Sequence, residues 1–230
     1  MRTRFHAAAG SLLIALAVPA GAQAAPTMEP LRPCYVTAGT AKSPEGEPVR
    51  VQAQGFTPNS KVDLAVDGAI MEGGAGLQVN EAGLLQLPDF PAPFVGRRTG
   101  TRDFTVTLTE TGNPANTVSA TAKATALGVD IKPSRARPSD RIRFSGRGFT
   151  AEKPVYAHYT RNGKQVKRVR MARRTGECGT WNVKRPQFPM KDPAQGVWWV
   201  QFDQSKKYVD GSVRRPNSVF VRVKIVISLQ

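Results

Sequence analysis

The sequence predicts an all-β chain folded as two tandem antiparallel β-sandwiches, and three observations lead there. Apolar residues alternate with polar ones in short runs, the period of two that marks strands buried on one face. Turn signals interrupt those runs about every 8 to 12 residues, and after the first two dozen residues no 3.6-residue apolar pattern persists. The two halves also repeat one another. Val49-Arg50-Val51-Gln52-Ala53-Gln54-Gly55-Phe56-Thr57 aligns without gaps on Ile142-Arg143-Phe144-Ser145-Gly146-Arg147-Gly148-Phe149-Thr150.

In chain order, residues 1–24 read as a signal peptide. Arg2 and Arg4 give a positive start, and Leu12 to Val18 an apolar stretch too short to cross a bilayer. Pro19 and Gly21 break it, and Ala22-Gln23-Ala24 offers small residues at both positions a signal peptidase reads. The mature chain is expected to begin at Ala25, with no membrane span and, lacking a Cys at the cleavage site, no lipid anchor. About 205 residues remain, which suits two domains of about 100, placed at 25–127 and 128–230 with a protease-sensitive linker near 126–130.

Within the first half, Gly55-Phe56-Thr57 turns the first repeated strand into a second that carries Val62, Leu64 and Val66 on one face. Asn80-Glu81-Ala82-Gly83 marks a turn, and Gly112-Asn113-Pro114 separates the run Phe104, Val106, Leu108 from Val118, Ala120, Ala122. The second half follows suit with Val155, Ala157 and Tyr159, then an Asn162-Gly163 hairpin turn. In the arm after that turn Val169 and Met171 face inward, Arg168 and Arg170 outward. Trp198, Val200 and Phe202 share a later face, with Trp199 opposite, and Asp210-Gly211 precedes a last strand through Val219, Val221, Val223, Ile225 and Ile227.

The segments from Gly55 to Val62 and from Gly148 to Val155, with the Asn80-Gly83 turn before Leu84-Leu85, resemble the early strands and mid-domain turn of bacterial immunoglobulin-like sandwich modules of secreted and cell-surface proteins. The resemblance covers most of both halves and implies adhesion, wall association, ligand presentation or a spacer role. Its motifs are strand and turn motifs, so they specify architecture and not activity. Similarity to ligand-carrying bacterial sandwiches is more distant, because those usually hold their own internal disulfides and this chain has one Cys per half.

Charge separates the halves. Residues 26–127 hold 8 Lys and Arg against 10 Asp and Glu, a net of −2, whereas residues 128–230 hold 23 against 7, a net of +16. A field of that size favours polyanions whatever the fold, and solubility alone asks for a net magnitude of only about 2 to 8. The densest cations, Lys164, Lys167, Arg168, Arg170, Arg173 and Arg174, crowd one hairpin arm, and Arg141 and Arg143 point outward from an earlier strand. Arg222 and Lys224 do the same on the last strand. Trp199, if exposed, is positioned to stack on a sugar or pack beneath an arginine. The bland alternative is a solvated surface whose edge cations deter aggregation.

Catalytic chemistry is hard to place. His158, alone after signal removal, sits opposite the inferred core positions and reads as a surface histidine without a nucleophile nearby. Acidic residues are scattered without metal-ligand or paired-carboxylate spacing, so neither a metal nor a cofactor is expected. The loose dinucleotide match from Gly146 to Ala151 is followed by Pro154 and an alternating strand instead of a helix. For Cys34 and Cys178 a mutual bridge, free thiols and an intermolecular bond all stay open, and a bridge requires the domains to be folded back on each other. The expected protein is therefore secreted, extracellular or envelope-associated, and non-enzymatic. Its basic half binds anionic envelope polymers or acidic polysaccharides, with nucleic acid attracted only unspecifically. The alternative is a structural spacer or assembly subunit that meets a protein partner, of unknown identity, through a sheet surface or edge.

Overall fold

The computed structural model describes residues 25–97, 99–173, 175–210 and 220–227, the side chains of Phe220 and Val221 excepted. The signal-peptide reading of 1–24, Arg174, Gly211 and Val219 lie outside the described residues.

The first sandwich contains β1 (Thr27–Met28), β2 (Cys34–Thr40), β3 (Gln52–Gln54), β4 (Lys61–Val66), β5 (Leu84–Gln86), β6 (Thr101–Glu110) and β7 (Asn113–Ala126). One sheet runs β1-β3-β5, a short ribbon pairs Pro48–Val49 with Phe90–Pro91, and the largest sheet places β2, β7, β6 and β4 side by side, with Ser43–Gly46 and Ala69–Ile70 at its margins. Alternation explains the packing. Val62, Leu64 and Val66 of β4 and Phe104, Val106 and Leu108 of β6 face Val51, Ala53 and Leu85 across the core, while the intervening residues reach solvent.

The second sandwich repeats the plan with β8 (Gly128–Lys132), β9 (Arg141–Arg147), β10 (Val155–Arg161), β11 (Lys164–Ala172), β12 (Trp181–Pro186), β13 (Gly196–Asp203) and β14 (Phe220–Ile227). Its sheets run β8-β9-β12 and β11-β10-β13-β14. Phe144, Phe149, Tyr159, Trp181, Trp198 and Phe202 give it a more aromatic core than the first. Asn162 and Gly163 take φ of 49° and 76°, the paired positive values of a tight hairpin turn, so β10 and β11 pair as the sequence suggests.

The repeated Gly-Phe has a physical basis. Gly55 and Gly148 adopt φ of 89° and 83°, where a side chain is strained, and the reversal drives Phe56 and Phe149 into the two cores. Asn80 closes the matching turn in the first sandwich by accepting hydrogen bonds from the N–H groups of Ala82 and Leu84, each at 2.9 Å.

The junction departs from the expected linker. Ala126 and Val129 are buried, and the Ala126 and Leu127 N–H groups donate to the carbonyls of Gly100 and Thr37. Arg97 pairs with Asp130, Arg147 bridges Asp130 and the Arg97 carbonyl, and Lys123 pairs with Glu177. Cys34 and Cys178 are joined by a disulfide with Cα atoms 5.4 Å apart. No fold-back is needed, because β2 runs parallel to β7 with Cys34 opposite Lys123, three residues short of the strand's junction end. The bridge therefore starts beside the second sandwich, where Cys178 sits in the short 3-10 turn Glu177–Gly179.

Candidate anion-binding surface

Arg168 and Arg170 emerge where strand alternation puts them, whereas Lys167 shares the parity of Val169, stands opposite Tyr159 and is nevertheless exposed. Met171 is buried and Val169 half-buried on the core side of β11, while Lys164, Lys167, Arg168 and Arg170 are exposed, as is Arg173 just beyond it. Arg141 and Arg143 do not join them. They lie on the outward face of β9 in the opposite sheet, so the structure divides the expected cluster between two sides of one sandwich.

Each side has its own chemistry. On the four-stranded sheet, register aligns Arg168, His158, Gln201 and Arg222 in one row across β11, β10, β13 and β14. Residues 204–210 close over this row: Arg168 donates to the Lys206 carbonyl at 2.7 Å, Gln201 to that of Val209 at 2.8 Å, and Arg222 pairs with Asp210 at 3.2 Å. The expectation of a surface histidine is thereby corrected. His158 does point away from the core, but the covering segment buries it completely.

His158 Nδ1 lies 2.8 Å from Gln165 Oε1, and Nε2 lies 3.1 Å from both Asp203 Oδ1 and the Ser205 carbonyl. All three are acceptors, so the doubly protonated ring donates to each. Burial pushes the imidazole pKa down, but hydrogen bonds and charge from Asp203, with Gln165 and Ser205, outweigh it and leave the pKa raised above 6.5. Asp203 in turn accepts from Gln201 and the Ser205 N–H. The Tyr208 ring lies 5.6 Å from the imidazole.

Trp199 is 40% exposed on the same sheet, with the Arg222 guanidinium 5.7 Å from its ring centroid, a cation–π contact that leaves part of the indole open to solvent. Trp198 and Trp181 are buried. The three-stranded sheet holds cations that the sequence reading passed over. Lys132 and Lys184 flank Arg143 in register on β8 and β12. Alternation around Ile131 and Val183 would have turned both outward; their adjacency to Arg143 depends on register, which one strand does not reveal.

Shallow concavities of 160 and 170 Å³, lined by β1 and β3 residues and by Thr37 to Gly39 with Phe94 to Arg97, are smaller than ordinary small-molecule sites. Among the described residues no His, Cys, Asp and Glu side chains form a metal-binding group of three, and no helix is long and apolar enough to cross a membrane.

No family model matches the chain, and no curated protein matches it. Among solved structures it is similar to a tetra-tandem repeat in the extending region of a large adhesion protein, at 13% identity over 85% of this chain and 49% of that one, with a TM-score of 0.31. An I-band fragment of titin gives 14% identity over 90% and 66%, TM-score 0.33. Extracellular cadherin domains 1 to 4 of protocadherin gamma B7 give 12% over 89% and 49%, TM-score 0.25. The chain spans about half to two thirds of the length of these structures. Likeness at this level carries no functional weight, and the immunoglobulin-like architecture stands on strand order and register.

Proposed function

We propose that the protein is an extracellular, non-enzymatic binding or adhesion protein whose second sandwich associates with anionic envelope polymers or acidic polysaccharides. The observation that carries this is the charge division, a net of −2 in residues 26–127 against +16 in residues 128–230. Two sandwiches of one plan have no structural need for such unlike surfaces, and a field concentrated on one of them recruits polyanions. The 25–127 and 128–230 division is part of the same proposal, with the first sandwich presenting the second.

The full chain is expected to be retained on immobilised polygalacturonate at low salt and released as ionic strength rises, because exposed charges are screened within about 10 Å at 0.1 M. It should pass through neutral dextran unretained. Equal behaviour on both matrices would overturn the reading. The bridged, ion-paired junction supports a second role, a stiff spacer between partners, which predicts weak retention independent of matrix charge.

A further inference from the structure

The repeat places an arginine at the same point of both sandwiches, in opposite company. In the first copy Arg50 Nε lies 3.3 Å from Asp89 Oδ1. Its counterpart Arg143, on β9, has Lys132 of β8 opposite it on one side and Lys184 of β12 on the other. All three point outward, since Ile131, Phe144 and Val183 take the inward positions. Three cations thus stand in a row across three strands, about 4.8 Å from strand to strand, although like charges directly opposite destabilise a sheet. Arg141 stands beside the row, two residues along β9, its Nη2 donating to the Lys184 carbonyl at 3.2 Å.

Among the described residues none of these four cations is in an ion pair. The acids nearest in sequence are engaged elsewhere. Asp130 holds Arg97 and Arg147, and Asp140 accepts from the Arg137 N–H.

We infer that the row Lys132, Arg143, Lys184 is the main seat of the acidic polysaccharide, with the polymer running across the strands and Arg141 beside it. The inference rests on the proposed function and selects its face. The hairpin commits Arg168 to the Lys206 carbonyl and the Tyr156 ring, and its same-face side chains are about 6 to 7 Å apart along the strand. Cross-strand spacing is closer, so the row offers a polymer with one carboxylate per sugar a denser line of cations. Among the described residues of β8, β9 and β12 no aromatic side chain faces outward, so a nucleic-acid base finds nothing to stack on.

The test uses the full chain and polygalacturonate at low salt. Lysine acetylation of the unaltered protein is expected to fall at Lys132 and Lys184 when polymer is added and to stay level at Lys164 and Lys167. The triple variant Lys132→Gln, Arg143→Gln, Lys184→Gln, verified by its circular dichroism, is expected to bind about tenfold more weakly, the sum of three modest exposed charge contacts. Lys164→Gln, Lys167→Gln, Arg170→Gln should stay within about twofold of the parent. Protection and loss confined to the hairpin would move the seat there and leave the proposed function standing. A parent that binds no polymer at low salt removes both. Displacement of the polymer by single-stranded DNA at lower charge concentration would overturn the choice of ligand.

Discussion

The two sandwiches share a frame and differ in what they show to solvent. In the first, three arginines are paired within the sandwich: Arg32 with Glu47, Arg50 with Asp89, Arg102 with Asp67. The outer face of its larger sheet is a ladder of hydroxyl pairs, Thr105 with Thr121, Thr107 with Ser119 and Thr109 with Thr117. In the second, the corresponding sheet carries the Arg168, His158, Gln201, Arg222 row and the smaller sheet the Lys132, Arg143, Lys184 row. Inward positions determine whether a sandwich forms, so the outward half of each strand is free to diverge. The fold is common property of the halves, and any difference in role resides in the outward residues.

The largest expected effect comes from separating the halves. The disulfide closes 144 residues of chain, and in the chain-entropy model a loop of that size contributes about 4 to 5 kcal/mol. Replacing both Cys34 and Cys178 by Ser is expected to lower stability by up to that amount and to resolve separate unfolding transitions for the two sandwiches. Denaturant titration of variant and parent measures it. Quantitative alkylation of both thiols in the unreduced parent would show that the bridge is not there.

The second effect is an opposite response to pH. In the first sandwich, burial raises the carboxyls of Asp67 and Glu110, but hydrogen bonds from Arg102 and Thr105, and from Asn116 and Thr57, outweigh it and leave both pKa values lowered. Their contribution is present above the unfolded values of 3.8 and 4.5 and is lost as pH falls through the lower folded ones. His158 acts the other way. Its contribution is complete below 6.5 and is lost as pH rises through the higher folded value, with Asp203 the charge facing it and Arg168, Arg222 and Tyr208 around it. His158→Leu leaves Asp203 unpaired and is expected to cost about 3 kcal/mol and to abolish the alkaline slope. In the Cys34→Ser, Cys178→Ser chain, a second-sandwich transition that stays flat from about pH 6 to about pH 9 would show that the ion pair is absent.

Much of the frame was legible because alternation records burial directly. Phe104, Val106 and Leu108, or Trp198, Val200 and Phe202, sit where a period of two puts them. Asn162-Gly163 and the repeated Gly-Phe announced backbone reversals that few other residues allow. What stayed hidden depends on register and on irregular chain. The Lys132, Arg143, Lys184 row joins strands over fifty residues apart in sequence, the parallel set of β2 on β7 decides where Cys34 lies, and residues 204–210, which have no strand pattern, bury His158. The hairpin cations were found because they are consecutive, and nothing in sequence density showed that Arg141 and Arg143 belong to the other face.

A smaller effect isolates one position of the repeat. Ala53 aligns with Gly146, where an added Cβ would lie 2.3 Å from the Trp181 ring. That ring is held between Phe149 and Phe202, with centroids 5.8 and 6.0 Å away, and has little room to shift. Gly146→Ala is expected to destabilise the second sandwich by about 1 to 3 kcal/mol through overpacking. The reciprocal Ala53→Gly should cost the first about 0.5 to 1 kcal/mol in backbone entropy. Equal, small shifts in both transitions, read in the Cys34→Ser, Cys178→Ser chain, would mean that Trp181 does not pack on Gly146.

The smallest effect is the most direct reading of the contrast, because it is one of sign. Arg50 and Arg143 occupy the same point of the repeat, one beside a carboxylate and the other between two lysines. Arg50→Gln removes an exposed ion pair and is expected to lower the first transition by a few tenths of a kcal/mol, within the usual range of about 0 to 1 for surface pairs. Arg143→Gln removes like-charge repulsion from directly opposite neighbours and is expected to raise the second by about 0.2 to 1 kcal/mol. Both changes should shrink in high salt, which screens exposed charges, whereas a packing effect would persist. Paired thermal scans at low and high ionic strength, in the Cys34→Ser, Cys178→Ser chain whose transitions are separate, read both signs. If Arg143→Gln destabilises at every salt concentration, the row is a set of independently solvated side chains, and the electrostatic strain assigned to it does not exist.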